Sequence, residues 1–229
     1  MKIVTLDWDT EYFGYKVGKI VLQNNLIDQN LLVNNDYKLL YVFSNEALSD
    51  DLVKKYNLFL ADKKIDLITQ VSNLTFNKLP NENLMTLTKL DENLLNLAYQ
   101  SGHYSRFKVD SNFKNKEFEK LYAAWIEQSI THKNAEKVIG FLVNNKVVGF
   151  ITIGFKNNAY DIGLIAVDEA HRSLKIGKQL LDYVFNYAIS KKINNVTVTT
   201  QKQNKGAIKF YINNGFTINQ TTYIYHLWK

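Results

Sequence analysis

The sequence predicts an α/β (α+β) protein with a mixed central sheet, preceded by a small N-terminal α/β unit packed on it. Three observations carry the prediction. Two β-rich runs, "KVIGFLV" and "KVVGFITIGF", flank the polar pair "NN", the pattern of two strands joined in a hairpin. Further β-rich runs alternate with helical segments, which calls for crossover connections in the same sheet. Hydrophobic residues make up 46% of the 229, ample for a core, and only one proline interrupts them.

In chain order, "KLLYVF" and "IDLITQV" read as buried strands, with a helical segment in "NEALSDDLVKKY" between them. Together they form an α/β domain of residues 1–80, too small to be more than marginal alone. The polar stretch "NKLPNENL" around Pro80 marks its boundary with a second domain, residues 84–229. There "LMTLTKL" is a strand and "DENLLNLAYQSG" a helix with an acidic start and a glycine stop. "KEFEKLYAAWIEQSI" sets Phe118, Leu121, Tyr122, Trp125 and Ile126 at helical spacing. The hairpin follows, then a third strand, "AYDIGLIAV". A helix opens near Lys175 with Ile176, Leu180, Leu181, Val184 and Ala188 on one face. "NVTVTT" is a strand, "NKGAIKFYINNG" a short helix, and "FTINQTTYIYHLW" the closing strand.

Composition excludes several chemistries. Without cysteine there are no disulfides, thiolate ligands or acyl-cysteine intermediates. His103, His132, His171 and His226 are scattered without metal-ligand spacing, so no metal is expected. No apolar run reaches roughly 18 residues, so no membrane insertion is expected. The N-terminus turns acidic at Asp7 and Asp9 before an export segment could form, which predicts a cytoplasmic protein. The net charge is +6, and beyond His171 the only acid among many lysines is Asp182. Such a field draws polyanions. No basic-aromatic stacking motif accompanies it, so nucleic acid is not expected as a partner. A homodimer is left open.

Two motifs refine this reading. In "VDEAHRSLKIGKQLL" a strand runs through Arg172, Ser173, Leu174, Lys175, Ile176, Gly177 and Lys178 into a helix. A helix N-terminus offers unpaired N–H groups to an anion, and Arg172, Lys175 and Lys178 add cations. In "NKGAIKFY", Asn204 and Tyr211 lie two helical turns apart, roughly 10 Å along one face, with Ala207 between them leaving a trough. Asn204 is equally explained as a helix cap and Tyr211 as a core aromatic.

Taken together, the motifs resemble the GNAT N-acetyltransferase superfamily. The loop is similar to its acyl-CoA pyrophosphate motif, Arg/Gln-x-x-Gly-x-Gly/Ala, with Lys175 where that pattern has glycine. "NKGAIKFYINNGF" is similar to its second cofactor motif. Two further stretches, "LDWDTEYFGYKVGKI" and "GHYSRFKVD", resemble the subgroup that acetylates TDP-4-amino-4,6-dideoxyhexoses, the TDP-fucosamine acetyltransferases.

The resemblance implies a GNAT fold over residues 84–229, acetyl-CoA as cosubstrate, and direct attack by the primary amine of a nucleotide-linked sugar. The pantetheine arm would lie along Ile165, Ala166 and Val167, and the pyrophosphate on the amides from Arg172 to Lys178. Asn204, Ala207 and Phe210 would flank the cofactor, and Tyr211 would act as general acid towards the departing thiolate. On the acceptor side stand His103, Tyr104 and Arg106, the last as a diphosphate grip, with Phe107 as a stacking surface. Trp8, Asp9, Glu11 and Phe13 would complete that pocket or merely join the two units. Two alternatives remain: a GNAT enzyme acting on a peptide N-terminus or another small amine, and a non-catalytic acyl-CoA-binding module. At the first turn of its helix, Lys175 is expected to have a negative φ and so to tolerate a Cβ.

Overall fold

A computed structural model describes residues 2–24, 26–77 and 82–229. The boundary expected at Pro80 lies outside these described residues. Ten strands form a single sheet in the order β1-β2-β3-β10-β4-β9-β8-β7-β6-β5. In the N-terminal part these are β1 (Val4–Thr5), β2 (Val17–Val21), β3 (Leu39–Ser44) and β4 (Phe59–Gln70). They are followed by β5 (Leu84–Thr86), β6 (Lys137–Val143), β7 (Lys146–Lys156), β8 (Ala159–Val167), β9 (Asn195–Gln201) and β10 (Thr217–Trp228). The expected "LMTLTKL" strand shrinks to the three residues of β5 at the sheet edge.

Both the expected hairpin and the parallel crossover are present. β6 and β7 pair antiparallel across Asn144 and Asn145, both in the left-handed conformation that a tight turn demands. β8 and β9 pair parallel, as strands joined by a helix do. The N-terminal strands do not form a separate layer. β10 is hydrogen-bonded to β3 on one side and to β4 on the other, so residues 1–80 supply both neighbours of that strand.

Helices cover both faces. On one lie α2 (Gln29–Val33), α3 (Asp50–Lys55), α7 (Ile176–Ser190) and α8 (Lys205–Asn213). α7 buries Leu180, Leu181, Val184 and Phe185 against Ile151, Val196 and Val198, each side chain contributing about 1.5–3 kcal/mol. The opposite face carries α1 (Asp7–Phe13), α4 (Glu92–Ser101), α5 (Arg106–Val109) and α6 (Glu117–Ile130). α4 is capped by Asp91, whose carboxylate accepts from the Leu94 amide at 2.8 Å. No helix among the described residues is long and apolar enough to cross a membrane.

Candidate active site

The site begins with a strand that loses its neighbour. β8 pairs with β9 only where Tyr160, Asp161 and Ile162 stand opposite Val196, Thr197 and Val198. Beyond them β9 stays with β4 as far as Gln201, while β8 runs on to Val167 with no partner on that side. The divergence leaves the main chain of Ile165, Ala166 and Val167 open along one edge.

A bulge sits where the strands part. β7 and β8 are in register at Ile151 and Ile165 and again at Ile153 and Ile162, so β8 carries one extra residue. There the Leu164 amide donates to the Thr152 hydroxyl at 2.8 Å. A Cβ on Gly163 would come within 2.9 Å of that same hydroxyl oxygen, so the bulge requires glycine.

The loop after β8 makes an anion cradle. The first backbone bond into α7 runs from the Gln179 amide to the Lys175 carbonyl. Among the described residues, the amides of 173–178 donate to no acceptor. Ser173 and Lys175 both have positive φ, 68° and 59°. Left-handed residues set into a turn in this way gather successive N–H groups into an anion-binding nest, here at the positive end of the α7 dipole. The negative φ expected of Lys175 is therefore corrected. The residue caps the helix from outside its first turn, and the chain must turn left-handed there to bring the strand into the helix.

Side chains divide differently from the amides. Arg172 donates through Nε to the Val167 carbonyl at 3.3 Å and approaches Glu169 at 3.7 Å. Lys178 turns away from the loop into an ion pair with the buried Asp182, to which Asn77 also donates. Ile176 is buried in the core, and Leu174 is exposed. Gly177 lies against Phe210, whose ring would be 3.2 Å from an added Cβ. Its small size lets α8 close on α7.

These parts enclose a cavity of about 680 Å³. Ile165, Ala166, Val167, Arg172, Gly177, Asn204, Ala207, Phe210 and Tyr211 line it, together with His103 and Tyr104. Of the expected cofactor residues, Ser173, Leu174, Lys175, Ile176 and Lys178 do not reach it with their side chains. Gln100, Ser101, Glu169 and Gly206 also line it, and the sequence reading misses them. Gln100 and Ser101 end α4, and only the packing of that helix beside β8 brings them in.

Both plain readings of the α8 motif hold without removing either residue from the cavity. Asn204 caps α8, its Oδ1 accepting from the Ala207 amide at 3.1 Å. Tyr211 is buried among Phe210 and Phe216. Its hydroxyl has no hydrogen-bond partner among the described residues. Burial, with the Asp161 carboxylate adding to it, pushes the phenol pKa above its ordinary value, so Tyr211 is a protonated donor.

Arg106 lies elsewhere. Its guanidinium stacks over the rings of Tyr41 and Phe107, at 4.7 and 4.5 Å, rather than lining the cavity with Tyr104. Phe107 is in the core and Phe13 packs on it, so both serve as contacts between the N-terminal helix and the rest. Trp8 stacks on Tyr12. No group of three or more His, Cys, Asp or Glu side chains among the described residues is arranged to hold a metal ion.

The chain is similar to known proteins in sequence and in fold. The sequence model of the acetyltransferase (GNAT) family matches residues 99–216. The spore coat polysaccharide biosynthesis protein SpsD of Bacillus subtilis is 26% identical over 137 residues, covering 60% of this chain and 47% of that protein. The chain thus spans about half the length of this curated relative. A functionally unknown conserved protein from Staphylococcus epidermidis shares the fold with a TM-score of 0.61 at 12% identity, over 94% of this chain and 84% of that one. A GNAT-family acetyltransferase from Colwellia psychrerythraea does so with a TM-score of 0.52 at 14% identity, over 88% and 69%.

Proposed function

The chain belongs to the GNAT acetyltransferase family, and on that premise we propose that it acetylates the primary amine of a nucleotide-linked amino-dideoxy sugar, of the TDP-4-amino-4,6-dideoxyhexose type. As a member it is an acyl-CoA-dependent N-acetyltransferase with acetyl-CoA as cosubstrate. The observation that carries the reading is one cavity bounded by an unpaired strand edge, an amide nest and a buried phenol.

Each part suits one portion of the cosubstrate. The nest at 173–178 offers donors to a pyrophosphate, with Arg172 beside it. The open edge of β8 can take an extended amide-bearing arm as an added strand. Acetyl-CoA supplies the activated acyl group when bound. Main-chain N–H groups on the open edge of β8 then offer donors to the carbonyl oxygen as charge develops on it. A neutral amine attacks the carbonyl carbon, the C–N bond forms and the C–S bond breaks. Tyr211 donates a hydrogen bond to the departing sulfur that strengthens as charge builds on it, the proton lost from the amine passes to solvent, and the thiolate leaves or takes up a proton from solvent.

Two features favour a sugar acceptor: the stretches around Trp8 and Tyr104 that resemble the nucleotide-sugar subgroup, and the name of the Bacillus subtilis relative, a polysaccharide biosynthesis protein. An acetyl-CoA consumption assay against a panel of amines tests the proposal. Turnover of a TDP-amino-dideoxyhexose, with thermal stabilisation by it, is the expected result. Turnover of peptide N-termini alone would replace it with the peptide reading, and coenzyme binding without any turnover would leave a binding module.

A further inference from the structure

The cavity spans the open edge of β8 from one sheet face to the other. Ile165 and Val167 pack with α7 and α8, whereas Leu164 and Ala166 pack with α4, as successive residues of a strand alternate. From the first face α8 lines the cavity with Tyr211, and from the second the turn after α4 lines it with His103 and Tyr104. An acyl carbon held at the β8 edge would have the Tyr211 phenol on one side and the His103 imidazole on the other.

The turn that carries His103 is anchored at both ends. Gly102 lies flat on the Tyr122 ring of α6, where an added Cβ would fall 2.2 Å from that ring. Ser105 is buried, and its amide donates to the Gly102 carbonyl at 2.8 Å. Its hydroxyl accepts from the Phe107 amide at 3.3 Å and so caps α5. Between these anchors His103 and Tyr104 are exposed to the cavity. Their rings meet edge to face at 5.0 Å and 83°, a contact that restricts rotation of the imidazole.

The ionisable side chains that line the cavity are His103, Tyr104, Glu169, Arg172 and Tyr211. Glu169 and Arg172 stand beyond the end of β8, beside the amide nest and 3.7 Å from each other. Phenols and guanidinium groups hold their protons at neutral pH, whereas an imidazole takes and gives one there. Of the four histidines, His103 alone lines the cavity.

We propose that His103 is the catalytic base of the transfer. It takes the proton that the acceptor amine loses as the C–N bond forms, and releases it to the solvent to which it is exposed. The proposal rests on the acetyl-transfer reading above and supplies the path by which that proton reaches solvent. The amine loses its proton on one face of the sheet, while the sulfur receives its hydrogen bond from Tyr211 on the other.

The test uses His103→Gln and His103→Ala in the full chain. The acceptors are a TDP-4-amino-4,6-dideoxyhexose and any other amine of the panel that the parent protein acetylates. In the parent, log kcat/KM is expected to rise with pH through two ionisations, that of the amine itself and that of a group on the protein. Both variants are expected to lose the protein's ionisation and about 10²-fold in kcat, with affinity for acetyl-CoA unchanged. Added imidazole should restore turnover severalfold in His103→Ala and leave Tyr211→Phe as it was. A readout independent of turnover is the His103 Cε1–H resonance, identified by its loss in His103→Gln. It should shift when the amine is added to protein saturated with coenzyme A. Full turnover in both variants would overturn the base and leave the acetyl-transfer reading intact. A loss of turnover that keeps both ionisations and is not relieved by imidazole, or a resonance that the amine leaves unmoved, would do the same. Absence of turnover of any amine by the parent protein would overturn the acetyl-transfer reading and the base with it.

Discussion

Lys175 holds φ at 59°, a conformation that costs a residue with a Cβ about 1–2 kcal/mol. Lys175→Gly removes this strain while adding roughly 0.5–1 kcal/mol of unfolded-state entropy. A net gain of up to about 1.5 kcal/mol is expected, seen as a higher Tm, with slightly weaker coenzyme binding at low salt from the lost cation. At Tyr211 the loss is kinetic. Tyr211→Phe is expected to lower kcat on the order of 10²-fold with unchanged affinity for acetyl-CoA, and unchanged turnover would remove its acid role. Around Tyr41, two titrations oppose each other. Burial pushes His226 down to about 4 from 6.5, so the unfolded chain binds its proton first and stability falls as pH drops through that window. Burial pushes Asp62 up to about 6 from 3.8, so the native state binds its proton first and stability rises as pH drops from about 6. The two nearly cancel between pH 6 and 4. Asp110, held down to about 2 by its bonds to His226 and Trp228, stays ionised throughout. Asp62→Asn leaves the histidine alone and is expected to lose about 3 kcal/mol of stability between pH 6.5 and 4, measured by urea unfolding. A flat profile in that variant would refute the assignment.

At the scale of elements, the β8 bulge depends on a side chain 12 residues away in the chain but adjacent in space. Thr152→Val keeps the shape and leaves the Leu164 amide unpaired, at a cost of about 1–3 kcal/mol. Turnover should fall with stability, since the same bulge aims the β8 amides. Retained turnover would show that those amides do not serve the carbonyl. Long periodic elements are legible in the sequence: α7, the β6–β7 hairpin and β9 carry apolar spacing that their burial reproduces. α1 and β2 are not, because "LDWDTEYFG" and "VGKIV" are too short for periodicity to separate helix from strand. The amide nest is legible because it is local. The bulge is not, because it depends on register between two strands. The buried polar cluster of Tyr41, Asp62, Arg106 and His226 draws on β3, β4, α5 and β10, and no spacing along the chain reveals such a meeting.

For the whole molecule, the position of β10 between β3 and β4 decides what can be separated. A fragment of residues 84–229 loses both neighbours of β10, leaving two open edges and the large side chains of Tyr225 and Leu227 exposed. It is expected to aggregate or to lack a cooperative thermal transition. A soluble, cooperatively melting fragment would instead mark residues 84–229 as an autonomous domain. The same arrangement has a consequence during synthesis. Ribosomes deliver β3 and β4 early, yet the strand that joins them follows only after everything from β5 to α8 has emerged. Throughout that interval the edges of β3 and β4 that face β10 stay unpaired, and chaperones have their longest opportunity on a half-made sheet.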